Sequence, residues 1–203
     1  MFCHPNPMRS VAKVLILGAL LLAPAVAHAG EPEVFVKDKQ GELGTLLKKP
    51  KAAAIDAKIE SIFDQMLDYD SLAKESLGDK WAQLSEAERT EFRNVLKQLV
   101  RNAYRKNLRK TLDYGIEYRG EEKANTGYLV RTVARHRTNS REEPVSIDYL
   151  VHKVDGRWRV QDIVTEGSSL VGNYRSQFRR VIKKNGFPEL MRRMKKKLEK
   201  GEG

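Results

Sequence analysis

The chain has 203 residues, of which 38 are lysine or arginine and 27 are aspartate or glutamate, giving a formal net charge of +11. The single cysteine, Cys3, excludes an intrachain disulfide, so the fold must rely on its own core, which a chain of this length can form. The sequence contains no internal repeat, no H-E-x-x-H or G-x-S-x-G motif and no glycine-rich phosphate loop. The enzyme classes that those motifs mark are therefore disfavoured.

Residues 1–29 have the three parts of a secretory signal peptide. A short basic region precedes an apolar run over residues 14–26, and Ala27-His28-Ala29 supplies the small-x-small pattern that signal peptidase recognises. The run is shorter than the roughly 20 residues that span a bilayer, which disfavours a retained anchor. We expect residues 1–29 to be cleaved and residues 30–203 to form a single exported domain.

Helical periodicity dominates the first half of this domain. Residues 30–44 are polar and contain three glycines, which predicts a loose lead-in segment. Ile55, Ile59 and Ile62 begin an apolar stripe that predicts a helix from Lys51 to Leu67. A short second helix is expected from residue 68 to a glycine cap at residue 78.

A third, longer helix is predicted from residue 86. Ser85 and Glu88 have the spacing of a capping box, in which each side chain satisfies the other residue's backbone N–H. One side of this helix is apolar, and the other side is basic, with Lys97, Arg101, Arg105 and Arg109.

From residue 114 onward the pattern alternates with a period of two, as in strands that bury one face. Four strands are predicted, near residues 114–118, 128–135, 145–152 and 158–164. Asp155-Gly156 is a typical two-residue hairpin turn between the last two strands. Short connections favour antiparallel neighbours, so we expect an α+β domain in which helices cover a curved four-stranded antiparallel sheet.

The end of the chain is strongly basic. Asn185-Gly186 is expected to end one helix and Pro188 to begin the last one. Residues 175–200 hold eleven basic residues against two acidic residues. This charge could dock an acidic partner or anionic lipid headgroups, or it could be a solvated surface, and the charge pattern leaves both readings open. A nucleic-acid partner is disfavoured because the leader would export the protein.

Three blocks of sequence occur in a specific order. The first block is Asp68-Tyr69-Asp70-Ser71-Leu72-Ala73 with Leu77-Gly78-Asp79-Lys80-Trp81, followed by Ser85 and Phe92. The second block runs from Leu99 to Tyr104 and is followed by Tyr118. The third block contains Trp158, Asp162, Glu166-Gly167, Ser169-Leu170, Asn173-Tyr174-Arg175 and Phe178. Over about residues 55–198 the chain resembles the MlaC-type family of phospholipid-binding proteins, also called toluene-tolerance auxiliary proteins.

The resemblance implies a fold and a function. The fold would be an NTF2-like sheet wrapped by helices that hold phospholipid acyl chains inside. The protein would shuttle phospholipid in the periplasm between an outer-membrane lipoprotein–porin complex and an inner-membrane lipid ABC transporter complex. Hopanoid-linked relatives share these motifs, so another lipid class is an alternative cargo.

An acyl chain needs a continuous apolar lining, because each buried CH₂ contributes about 0.8 kcal/mol. Large apolar side chains on both layers could supply it, and tyrosines would suit its mouth. A solid core is the alternative use of the same side chains. The predicted lipid-binding residues are Leu67, Leu72, Leu96, Leu99, Tyr104, Tyr118, Val130, Ile147, Tyr149, Val160 and Leu170.

A small NTF2-like enzyme is the other alternative, since Asp162 on an apolar strand face could act as a base. The simpler expectation is that Arg175 pairs with Glu166 or Asp162 and fixes the strand-to-helix corner. His136 and His152 lack the spacing of metal ligands. We therefore expect no catalytic residues, no metal and no cofactor.

Overall fold

A computed structural model describes residues 29–201, without the side chains of Lys106 and Asn107. The predicted signal peptide lies outside these residues except for Ala29, and its cleavage stays a prediction. Across residues 29–201, no helix combines the length and the apolar character needed to cross a membrane.

The described chain begins with a helix, α1 (Glu31–Leu47), where the sequence predicts a loose lead-in. Pro32 lies in the first turn, where its missing N–H needs no partner. Val36 and Leu43 share a buried side of this helix. The prediction was wrong because Gly41 and Gly44 suggested a loop, whereas packing of the apolar side against the rest of the fold outweighs their low helix propensity.

The other helices lie close to their predicted positions, as α2 (Ala53–Met66), α3 (Tyr69–Leu77), α4 (Glu86–Asn107) and α5 (Leu170–Glu199). The capping box of α4 is confirmed, since the Ser85 amide donates to Glu88 Oε2 at 2.8 Å and the Glu88 amide donates to Ser85 Oγ at 3.3 Å. The predicted break in the last helix is also present, because Gly186 has φ 82° and ψ 169° within α5.

The sheet is antiparallel, with strand order β1-β2-β3-β4-β5. The four predicted strands are β1 (Tyr114–Lys123), β2 (Tyr128–His136), β3 (Val145–Val154) and β4 (Arg157–Thr165). A fifth strand, β5 (Ser168–Ser169), corrects the predicted count of four. It forms because Glu166 and Gly167 both have positive φ, which folds the next two residues back onto β4.

The core lies between one face of the sheet and the helices. The Phe92 ring of α4 meets the Phe178 and Phe187 rings of α5 at centroid distances of 5.6 Å and 6.1 Å. The junction between α2 and α3 is tied to the sheet, because the Asp68 amide donates to the Val160 carbonyl at 2.9 Å. The helical layer is thereby held against β4.

Candidate functional site

The eleven residues predicted to bind lipid all belong to one apolar core or pack against it. Seven are buried, namely Leu67, Leu72, Leu96, Leu99, Val130, Tyr149 and Val160. Four are partly buried, namely Tyr104, Tyr118, Ile147 and Leu170. The fold therefore gathers side chains from the helices and the sheet into one interior, while their contact with lipid stays a prediction.

Tyr104, near the end of α4, places a phenol in this interior. Burial raises the pKa of Tyr104, and the nearby phenols of Tyr149 and Tyr174 raise it further. Its ring stacks on Phe63 of α2, with the centroids 5.0 Å apart and the planes 25° from parallel. This aromatic pair packs α2 against α4.

Gln40 of α1 joins the two tyrosines of the predicted lining that lie on the sheet. Its Nε2 donates to the Tyr149 hydroxyl at 2.7 Å, and the Tyr118 hydroxyl donates to its Oε1. Burial raises the pKa of Tyr149 to about 12, although the hydrogen bond from Gln40 opposes that shift. Sequence reasoning missed Gln40 because it assigned this segment to a loop.

A cleft of about 390 Å³ opens where the end of α1, α2 and the end of α4 meet. Its apolar lining comes from Leu47, Ile59, Phe63 and Leu108. Its charged lining comes from Lys51, Asp56, Glu60, Arg101, Arg105 and Arg109. An apolar floor under a charged rim suits an amphiphile, since polar groups at such a site orient a mostly apolar ligand.

The rim carries more positive than negative charge. Arg101 forms an ion pair with Asp64, to which its Nε donates at 3.0 Å. Arg105 lies 3.6 Å from a Glu60 carboxylate oxygen. Arg109 donates to the Leu47 carbonyl at 2.9 Å and forms no ion pair with a carboxylate of the described residues. Its guanidinium is therefore a positive charge that an anion at the mouth could share.

None of the eleven predicted residues lines this cleft. A second, more open depression of about 520 Å³ between α1 and α2 does not involve them either. The cleft is connected to the predicted residues indirectly, through Phe63, which lines the cleft and stacks on Tyr104. The basic side of the third predicted helix indicated the arginines of the cleft rim. Nothing in the sequence indicated that Leu47 or Lys51 would lie beside those arginines.

Asp162 is occupied by the start of α5. Its Oδ1 accepts from the amides of Ile163 at 2.8 Å and Val171 at 3.0 Å, and its Oδ2 accepts from Ser169 Oγ at 2.5 Å. Ser169 Oγ in turn accepts from the Gly172 amide at 2.8 Å. This carboxylate caps a helix, which is a structural use and not that of a free base.

The predicted pairing of Arg175 with Glu166 or Asp162 was wrong. Arg175 Nε donates to the Glu75 carbonyl at 2.6 Å and its Nη2 donates to Glu75 Oε2 at 2.8 Å, which ties α5 to α3. Glu166 instead accepts from the Ser146 amide across the sheet. The prediction failed because it sought a partner close in sequence, whereas the helix carries Arg175 towards α3.

His152 also has a structural partner, since its Nε2 lies 2.8 Å from Asp68 Oδ2. Asp68 caps α3 as well, by accepting from the Ser71 amide at 3.0 Å. Among residues 29–201 no three histidine, cysteine, aspartate or glutamate side chains are grouped so that they could hold a metal ion.

These features define an α+β domain with an apolar interior beneath a charged cleft. The model of the MlaC protein family matches residues 38–196, and the chain belongs to that family. A solved structure of a phospholipid-binding protein from Ralstonia solanacearum, in complex with a phospholipid, is similar with a TM-score of 0.70 and 22% identity. The match covers 85% of this chain and 99% of that one, and it supports the fold. No curated protein matches significantly.

Proposed function

We propose that this protein is a periplasmic phospholipid carrier that holds acyl chains between its helices and an NTF2-like sheet. The observation that carries the proposal is the cleft with an apolar floor, whose Phe63 stacks on Tyr104 of the tyrosine-containing interior. Membership of the MlaC family and the phospholipid bound by the Ralstonia solanacearum protein support the same reading.

The physical task is to replace the hydrocarbon surroundings that a lipid loses when it leaves a membrane. Two chains of about 16 carbons represent on the order of 25 kcal/mol of apolar transfer. An apolar interior offsets most of that loss without covalent chemistry. Release then requires that binding to the protein and residence in the membrane have similar free energies.

The arrangement of the site suggests how the lipid would lie. Its headgroup would stay at the rim, where Arg105, Arg109 and Lys51 can share the charge of a phosphate. Its tails would pass the apolar floor of the cleft into the space between helices and sheet.

Entry of the tails requires movement. The cleft, at about 390 Å³, is at the low end of the roughly 300–1,000 Å³ typical of small-ligand sites, and a two-chain lipid needs more room. The stacked pair Phe63–Tyr104 stands between the cleft and the interior, so we propose that its separation admits the tails. The contact is an aromatic stack between two helices and is worth only about 0.5–1.5 kcal/mol beyond its buried area.

Export and transport complete the proposal. The leader-like composition of residues 1–29 supports a periplasmic location. The carrier would exchange phospholipid with an inner-membrane lipid ABC transporter complex and an outer-membrane lipoprotein–porin complex, as the family resemblance implies. No step in this process requires the protein to make or break a covalent bond.

The test is to fill the cleft. Leu108→Trp places a large ring in it, at a partly buried position that tolerates a larger side chain better than the core does. We expect the phospholipid that co-purifies with the protein, measured by mass spectrometry after gentle purification, to fall about tenfold, which equals about 1.4 kcal/mol of binding.

Leu46→Trp is the matched control, since Leu46 is also partly buried but lines the second depression. It should keep the lipid content of the unmodified protein. Equal lipid content in both variants would exclude the cleft as the entrance. The absence of any lipid from the unmodified protein would contradict the carrier function itself.

A further inference from the structure

The carrier function leaves the positive charge of α5 unexplained. All eleven lysines and arginines in residues 175–200 are exposed. Four of them, Arg175, Arg192, Arg193 and Lys195, form ion pairs with glutamates. The other seven form no ion pair with a carboxylate of the described chain. The surplus charge is thus available to a partner.

Six of these seven cations lie on the side of α5 that faces away from the core. Before the break at Gly186, Arg179 and Arg180 are each followed four residues later by a lysine, which is the spacing of neighbours on one helix side, and all four lie about 100° or more around the helix from the buried Phe178. After the break, Lys196 and Lys200 lie opposite the buried Met194, whereas Lys197, three residues after Met194, lies at the edge of the buried side. The basic face of α5 is defined by Arg179, Arg180, Lys183, Lys184, Lys196 and Lys200.

The basic face has no apolar anchor. The large apolar residues of α5, such as Phe187 and Met191, are packed into the core. Within the described residues the one exposed large apolar side chain is Val34, at 43% exposure, and it belongs to α1. Stable protein–protein interfaces depend on buried aromatic or aliphatic anchors at their centre. A contact made by this face would therefore rest on charge alone.

We propose that the basic face of α5 binds the surface of anionic phospholipid bilayers. A bilayer presents a dense, laterally mobile layer of negative charge, which unpaired lysines and arginines can neutralise without geometric matching. An acidic protein would offer fewer charges at fixed positions and would need an anchor that this face lacks. The inference goes beyond lipid carriage, since it assigns a second, separate surface that keeps the protein near a membrane.

The predicted strength follows from the number of cations that touch the surface. Each lysine or arginine near an anionic membrane adds a factor of about five to partitioning, from about 1 kcal/mol each. Lys183→Gln with Lys184→Gln should therefore weaken binding about 25-fold. Both side chains are exposed and form no ion pair with the described residues, so the double variant should fold normally.

The experiment is co-sedimentation of the exported, purified protein with phosphatidylcholine vesicles that contain either no phosphatidylglycerol or about a third of it. Binding should require the anionic lipid. It should also fall steeply between about 0.01 M and 0.15 M salt, as the Debye length shrinks from about 30 Å to about 8 Å.

Lys123→Gln with Arg157→Gln is the matched control. It also removes two positive charges, but from exposed positions on the sheet that form no ion pair with the described residues. This control should bind vesicles almost as well as the unmodified protein. Equal losses in the two double variants would show a net-charge effect and overturn the assignment to α5. Failure to sediment with anionic vesicles, together with retention on immobilised polyglutamate, would show that the face binds acidic protein instead.

The lipid content of the Lys183 and Lys184 variant, measured by mass spectrometry, keeps this test separate from the carrier function. It should be unchanged, because neither residue lines the cleft.

Discussion

Replacing Asp162 with asparagine tests whether this carboxylate holds the start of α5 or serves a chemical step. Asp162 accepts three hydrogen bonds, from two backbone amides and from Ser169 Oγ. A hydrogen bond to a charged group contributes about 1.5–3 kcal/mol, against about 0.5–1.5 kcal/mol for a neutral one. Asparagine removes the charge, which should weaken each of the two backbone bonds to the remaining oxygen by about 1 kcal/mol, and its amide nitrogen cannot accept the third bond, from Ser169 Oγ.

Over three bonds the free energy of unfolding should fall by about 2–3 kcal/mol. For a domain of this size each kcal/mol lowers Tm by about 2–4 °C, so the melting temperature should fall by roughly 4–12 °C. Thermal unfolding followed by far-ultraviolet circular dichroism measures this shift. Asp79→Asn is the control, since Asp79 is exposed and a surface change of this kind stays within about 0.5 kcal/mol.

The lipid content of the Asp162 variant separates the two readings. A helix cap predicts a lower Tm with lipid still bound by the folded protein. An unchanged Tm would refute the reasoning from the three hydrogen bonds. Loss of a turnover at an unchanged Tm would instead restore the enzyme alternative.

Two further predictions concern pH and backbone conformation. Burial alone would raise the pKa of Asp68, but hydrogen bonds from Ser71 and His152 outweigh burial and hold the pKa below the usual 3.8. The ionised Asp68 therefore stabilises the folded state above about pH 4, and this contribution is lost as the pH falls further. Asp68→Asn keeps the helix cap and should flatten the loss of unfolding free energy below pH 4, as measured by urea denaturation across pH. Gly41→Ala should raise the free energy of unfolding by about 0.5–1 kcal/mol, because Gly41 is helical and has nothing within 4 Å of an added Cβ. Gly186→Ala should lower the free energy of unfolding by about 1 kcal/mol because the φ of Gly186 is +82°. Urea denaturation measures both changes, and a change of the opposite sign at either glycine would contradict the conformation assigned to it.

The sequence alone determined the features that depend on near neighbours. The capping box at Ser85 and Glu88, the hairpin turn at Asp155-Gly156 and the break at Gly186 each depend on a few consecutive residues. The period of apolar residues, which is also a local property, located α2, α4 and the four long strands. The family blocks identified the MlaC family, which the family comparison confirmed.

Local pattern failed where packing overrode propensity. The sequence assigned α1 to a loop because its glycines weaken an isolated helix, yet α1 packs its apolar side on the domain and delivers Gln40 to Tyr118 and Tyr149. No local signal could show this, because the partners of Gln40 follow it by 78 and 109 residues.

Only the tertiary structure decided which residues meet. Arg175 pairs with Glu75, 100 residues away, and not with the acidic residues beside it in the sequence. The cleft forms where the ends of α1 and α4 meet the side of α2, so Leu47 and Arg109 become neighbours although they are 62 residues apart. The physical reason is that the spacing of apolar residues along the chain fixes which side of a helix or strand is apolar. The direction in which each element leaves its turn fixes which other elements that apolar side contacts.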